Sequence, residues 1–206
     1  MLKQFFFFLI VRPVILLIAG VHIKGREKLP LDGPCIIAAN HNSHMDTMVL
    51  MSIFSLSKIK KVRPVAAADY FLKNRLLAWF SLNVIGIIPL RRRPKKSEGH
   101  PFAGVEEALN AGDIVIVFPE GSRGEAEQMV PFKTGIAHLA STFPTIPVVP
   151  IHIYGAGKCL PKGEALFVPF VIEVSIHNAL YYEDESNKEF TLRLENTIKK
   201  LESEVL

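Results

Sequence analysis

Three short apolar runs in this chain each stop at a polar cluster, and that repetition constrains the fold more than any other feature. Cys35–Ala39 runs into His41–Asp46, Val84–Leu90 into Arg91–Arg93, and Asp113–Phe118 into Glu120–Gly124. Runs this short, bounded by turn residues, read as strands buried on both faces. Further strands are expected at Val21–Gly25, Val62–Ala67, Ile146–Tyr154 and Ala165–Ile176. The stretches 44–55, 69–82, 96–111 and 135–142 read as helices, and 186–205 as a closing amphipathic helix. Strands alternating with helices predict an α/β fold, a mostly parallel central sheet flanked by helices. Ligands gather at the carboxyl ends of strands in such sheets, so clusters at three strand ends are expected to share one site.

The first twenty residues differ from the rest. Residues 5–21, FFFFLIVRPVILLIAGV, are apolar except where Arg12 and Pro13 interrupt them. A membrane span needs about 20 apolar residues, and a central arginine is costly there. A cleavable leader does not fit, because the charge splits the run and no A-x-A-like site follows. The expectation is a kinked helical segment over 1–20 that lies in one leaflet, ahead of a single domain over 21–206; a buried core helix is the competing reading. The chain is 49% hydrophobic with a formal net charge of +4. That balance suits an anionic membrane surface or a phosphate-bearing ligand. No long basic and aromatic stripe occurs, so nucleic acid is not an expected partner. Two cysteines, Cys35 and Cys159, give no disulfide framework and fit a reducing compartment. The expected location is therefore the cell membrane, monotopic or peripheral, with the site facing the cytoplasm.

Asn40-His41-Asn42-Ser43-His44-Met45-Asp46 is the most chemically suggestive stretch. On one continuous helix, residues five apart point roughly 140° from each other. His41 and Asp46 therefore meet only if His41 lies in a turn and Asp46 in the first turn of the next helix. Met45, Val49, Leu50 and Ile53 supply that helix's apolar face, and Ser43 is a good N-cap. A histidine leaning on a carboxylate can take a proton from an alcohol. The same residues also fit a capping box, with Asp46 reaching back to Ser43 and His41 an ordinary turn residue. His41, His44 and Asp46 have the composition of a 2-His-1-carboxylate set, but no further ligand-rich cluster stands out and no metal is expected.

The other clusters suit anions. In Phe118-Pro119-Glu120-Gly121-Ser122-Arg123-Gly124, the glycines permit close backbone approach, and Arg123 with backbone N–H groups can hold a phosphate or carboxylate. Glu120 can accept from a substrate hydroxyl; a surface turn with a Glu120–Arg123 ion pair is the alternative. Lys133 adds a cation just ahead of a helix start. Of the run Arg91-Arg92-Arg93, Arg92 is expected to point into the site in preference to Arg91, the remainder being a solvated or membrane-facing charge run. Two look-alikes fail. Ser122 is not in a G-x-S-x-G elbow, because Glu120 stands two residues before it. Gly155-Ala156-Gly157-Lys158 is not a phosphate-binding P-loop, because Cys159 follows the lysine.

Taken in order, Asn40–Asp46, Gly86–Arg92, Phe118–Arg123 and Ile146–Ile151 resemble the N-H-x-x-x-x-D, G-x-x-F-I-D-R, F-P-E-G-T-R and V-P-I-V-P blocks of the glycerolipid acyltransferase family, typified by the bacterial 1-acylglycerol-3-phosphate acyltransferases. The resemblance runs from about residue 21 to 155, with Phe132-Lys133-x-Gly135 also similar. Ser122 replaces a threonine, and Pro89-Leu90-Arg91 replaces the F-I-D that precedes the family arginine. The resemblance implies a membrane-associated O-acyltransferase moving a fatty acyl group from acyl-CoA or acyl-carrier protein, as co-substrate, to the free hydroxyl of 1-acylglycerol-3-phosphate, giving phosphatidic acid. His41 would be the base and Asp46 its partner, with Arg91, Arg92, Glu120, Gly121, Ser122, Arg123 and Lys133 binding substrate and no cofactor or metal required. The altered residues before Arg92 leave open another lysophospholipid or a lyso-aminolipid as acceptor. A non-catalytic membrane lipid-binding protein is the reading from a different class.

Overall fold

The structure, a computed structural model, describes residues 1–91, 100–160 and 168–203. Seven strands form one sheet: β1 (Val21–Lys24), β2 (Cys35–Ala39), β3 (Val62–Ala67), β4 (Ile88–Leu90), β5 (Ile114–Val117), β6 (Val148–Tyr154) and β7 (Ile172–Ile176). Their order is β1-β7-β6-β2-β5-β3-β4. The five strands from β6 to β4 are parallel, β7 runs antiparallel to β6, and β1 is parallel to β7. The expected mostly parallel α/β sheet is therefore what the chain forms. β2 sits at its centre, with Ala38 beside Val117 of β5 and Pro150 of β6. All five of its residues are buried.

Side chains alternate along each strand, and this divides the interior into two cores. Cys35, Ile37 and Ala39 face a core that includes Val49, Leu50 and Phe54 from α3 (His44–Ser52) and the residues just after it. Ile36 and Ala38 face the opposite core. That second core is closed by α6 (Ala103–Asn110), α7 (Gly135–Thr142) and α8 (Asn187–Ser203).

Several boundaries differ from the sequence reading. Val84 and Ile85 belong to a π-helical turn, Ser81–Ile85, that ends α5 (Arg75–Phe80); the strand begins only at Ile88. Gly86, at φ 75°, closes that turn by donating to Ser81 O, a conformation open to glycine at little cost. Of the helix expected over 96–111, residues 96–99 lie outside the described residues; within the rest it starts at Ala103, because Pro101 is poorly suited to a helix interior. The strand expected over 165–176 begins at Ile172, and 165–167 lie outside the described residues.

The N-terminal segment is one bent rod: α1 (Leu2–Phe6), a π-helical turn (Phe7–Val11) and α2 (Arg12–Ile18). Pro13 stands in the first turn of α2, where its missing N–H coincides with the widened turn before it. Phe7, Val11, Ile15 and Ala19, four apart, are buried in the same core as β2 and α3. Phe5, Phe8, Leu9 and Ile10 face outward and are exposed. The segment is thus a core helix on one side and an apolar surface on the other, not a separate unit. Arg12, which would be costly in a bilayer, instead donates to the carbonyls of Phe54 (2.6 Å) and Ser52 (3.4 Å) where α3 ends. Among the described residues, no helix is long and apolar enough to cross a membrane.

Candidate active site

Because β2 to β6 are parallel, the chain leaves β2, β3, β4, β5 and β6 on one edge of the sheet. Asn40 is the first residue past β2. Its side chain acts as an extra strand rung, donating to Ile153 O (2.8 Å) and accepting from Ile153 N–H (2.7 Å). Held in this way, the turn presents His41 and then enters α3. Ser43 Oγ accepts from Met45 N–H (3.2 Å), and Asp46 reaches back to Ser43 N–H (2.8 Å), completing a capping box.

The same carboxylate oxygen, Asp46 Oδ2, also accepts from Asn42 N–H (2.7 Å) and lies 2.9 Å from His41 Nδ1. The capping and dyad readings, alternatives in sequence, are both satisfied by one atom. Asp46 is buried, and its Oδ1 has no hydrogen-bond partner among the described residues. With Nδ1–H directed at the carboxylate, a neutral imidazole keeps Nε2 as its accepting nitrogen. The His41 side chain is 17% exposed and stacks on Phe118, with ring centroids 4.0 Å apart and planes 16° from parallel.

The loop after β5 fixes the main chain of His41 from both sides. His41 N–H donates to Glu120 Oε1 (2.7 Å), and Gly124 N–H donates to His41 O (3.0 Å). The other Glu120 oxygen accepts from Val130 N–H (3.2 Å). Only 2% of Glu120 is exposed. Burial pushes its pKa up to about 7, against the pull of its two backbone donors. The sequence reading gives Glu120 a substrate hydroxyl; in the structure each of its oxygens accepts from a backbone N–H inside the wall, because a buried carboxyl must find donors within the protein.

Lys133 N–H donates to Pro119 O (2.9 Å). Its side chain crosses Gly121, where a Cβ would sit 2.5 Å from Lys133 Nζ; Gly121 also has φ 73°. Glycine at 121 thus allows both the turn and the lysine's approach. Arg123 is close enough to bear on His44: burial first, then the Arg123 and His41 charges, hold the His44 pKa below its ordinary value. Ser122 is exposed on the same loop. Arg91 follows the edge strand β4, three strands from β2, which is about 14 Å at the usual strand spacing. Arg92 lies outside the described residues. His41, Asp46, Gly121, Arg123 and Lys133 therefore gather around one turn, with Arg91 across the sheet edge from them. Among the described residues, no three His, Cys, Asp or Glu side chains are grouped as a metal ion would need.

Three contributors escaped the sequence reading. Asn40 belongs to the motif, without a chemical role of its own there. The signal for it was a polar side chain directly after a strand buried on both faces. Glu127, at φ 57°, accepts from Gly155 N–H (3.1 Å) and ties the β5 loop to the end of β6. Tyr70, in α4 (Ala68–Phe71) after β3, has its ring 6.1 Å from that of His44. No local pattern marks either of these.

Known proteins match this arrangement. A 1-acyl-sn-glycerol-3-phosphate acyltransferase of Brassica napus chloroplasts is 31% identical over 161 residues, 77% of this chain and 44% of the relative. A Pseudomonas aeruginosa protein of the same description is 31% identical over 171 residues, 82% of this chain and 63% of the relative. The chain thus spans less than two thirds of these relatives' length. The crystal structure of the 1-acyl-sn-glycerophosphate acyltransferase PlsC from Thermotoga maritima shares the fold, with a TM-score of 0.79 at 24% identity over 98% of this chain and 78% of that one. The family model described as Acyltransferase matches residues 20–154, the stretch that carries the central strands and the His41 turn, and so the chain belongs to the acyltransferase family.

Proposed function

We propose that this protein moves a fatty acyl group from a thioester, acyl-CoA or acyl-carrier protein, to the free hydroxyl of 1-acylglycerol-3-phosphate, giving phosphatidic acid. The observation that carries the reading is the 2.9 Å contact between His41 Nδ1 and Asp46 Oδ2, with the His41 main chain clamped by the β5 loop. His41 Nε2 takes the proton of the acceptor hydroxyl as its oxygen attacks the thioester carbonyl. Asp46 holds the tautomer and offsets the imidazolium charge. The tetrahedral oxyanion collapses, the C–S bond breaks, and the leaving thiolate receives the proton from His41. The products are an ester and a free thiol. No protein nucleophile is needed, since the acceptor alcohol supplies the attacking oxygen.

Lys133 and Arg123, beside Gly121 and Ser122, suit the acceptor's phosphate. Arg91, directly after β4, adds positive charge at the same edge of the sheet, and Arg92 keeps its proposed role on the sequence motif alone. Glu120 acts through the position of His41. The exposed apolar side of the N-terminal rod suits a leaflet, where a lysophospholipid acceptor resides. The departure at Pro89-Leu90-Arg91 supports a second acceptor class, a lysophospholipid with a larger headgroup or a lyso-aminolipid.

The purified protein should release thiol from acyl-CoA or acyl-carrier protein only when an acceptor is present. His41→Ala should abolish release while circular dichroism stays unchanged. Full activity in that variant would end the base assignment. A panel of acceptors compared by kcat/KM separates the two acceptor classes.

A further inference from the structure

The crossover from β3 to β4 carries an apolar row that faces out of the molecule. Leu76, Trp79 and Leu82 are 76%, 52% and 42% exposed. Spaced three apart on α5 and the turn that ends it, they share one helix face. Tyr70 and Leu72, just upstream in the same crossover, are also exposed, and the Tyr70 ring stands 6.1 Å from the His44 ring. The row adjoins the N-terminal rod: Phe6 packs edge-on against Phe80, centroids 5.2 Å apart. Two outward apolar faces, on segments far apart in sequence, therefore lie side by side over one side of the sheet. Soluble monomers rarely expose a contiguous patch of this kind without a partner.

We infer that the 70–82 crossover is a second lipid-contacting surface, which with the N-terminal rod seats the protein on an anionic leaflet up to the edge of the site. The inference rests on the acceptor being a membrane lipid, as proposed above. Charge selects the occupant. Lys73 and Arg75 flank the row, against one exposed acid, Asp69, and Lys73 Nζ lies 5.2 Å over the Tyr70 ring. An apolar stripe bordered by cations matches an acyl region bordered by phosphates, and tryptophan and tyrosine favour that boundary. A second copy of the chain would meet its own cations there and would cover Tyr70 at the mouth of the site.

The chain has a single tryptophan, so emission excited at the red edge, where its four tyrosines do not absorb, reports Trp79 alone. Added to vesicles of phosphatidylcholine and phosphatidylglycerol, the protein should show a blue shift and quenching by lipids brominated near the headgroup. Leu76→Ser should weaken partitioning roughly tenfold. Lys73→Gln and Arg75→Gln should each weaken it about fivefold on anionic vesicles and little on neutral ones. Sedimentation with vesicles while Trp79 emission stays unshifted would overturn the inference, as would absence of binding. A blue shift that grows with protein concentration in the absence of lipid would overturn it in favour of a second copy. Thiol release with a water-soluble short-chain acceptor, measured in parallel, keeps the questions apart. Quenching without turnover sinks the transferase reading and leaves the lipid face; turnover without quenching does the reverse.

Discussion

Glu120 is a carboxyl group that water scarcely reaches, with one oxygen on the main chain of His41 and the other on that of Val130. Its pKa of about 7, raised from 4.5 by burial, means that the folded chain holds this proton where the unfolded chain has released it. The contribution to stability is therefore fully present below about pH 4.5 and is lost as pH rises through about 7. As an upper bound, the penalty for the ionised form is roughly 3 kcal/mol. Glu120→Gln cannot titrate. Relative to the parent, it should gain stability between pH 4.5 and 8 in urea unfolding followed across that range; parallel pH curves would contradict the assignment. The loop's place at the site was legible in its glycines and arginine. The inward turn of Glu120 was not, because it depends on donors at positions 41 and 130, which no local pattern links to 120.

Among the elements, α3 joins the two parts of the chain that matter most. Its first turn holds Asp46; its last carbonyls receive the guanidinium groups of Arg12 and, at Ile53 O, of Arg26 (3.2 Å). The final carbonyls of a helix lack partners within it, and cations there are favourable. Arg12→Met keeps the apolar stem and deletes the donors, so the carbonyls of Ser52 and Phe54 go short. The expected loss is about 1–3 kcal/mol in chemical unfolding, with Arg12→Lys recovering part of it. The sequence showed where α3 begins, since Ser43 and Asp46 are local signals. It also marked Arg12 as anomalous. The partner lay about forty residues away, so the anomaly read as a bilayer cost when it is a helix cap.

For the molecule as a whole, the N-terminal rod shares its core with the sheet: Phe7, Val11 and Ile15 pack in one cluster with Val49, Ile116 and Ile151. The division into a segment over 1–20 and a domain over 21–206 is one of sequence composition rather than of packing. Heating should therefore give a single transition, with amide protection at Phe7–Ile15 as durable as that in β2. Earlier release of the rod would argue for two units. The sheet itself was legible, because alternating apolar runs and helical stretches leave few topologies once crossovers are right-handed. Its antiparallel strand β7 was not, since a single apolar run carries no direction.

One oxygen atom, Asp46 Oδ2, both opens a helix and aims the imidazole. On the proposed mechanism, whoever wants an inert but properly assembled form of this protein, for trapping an acceptor or growing crystals with one, should alter position 41 and leave position 46 alone, where architecture and reactivity would be lost together.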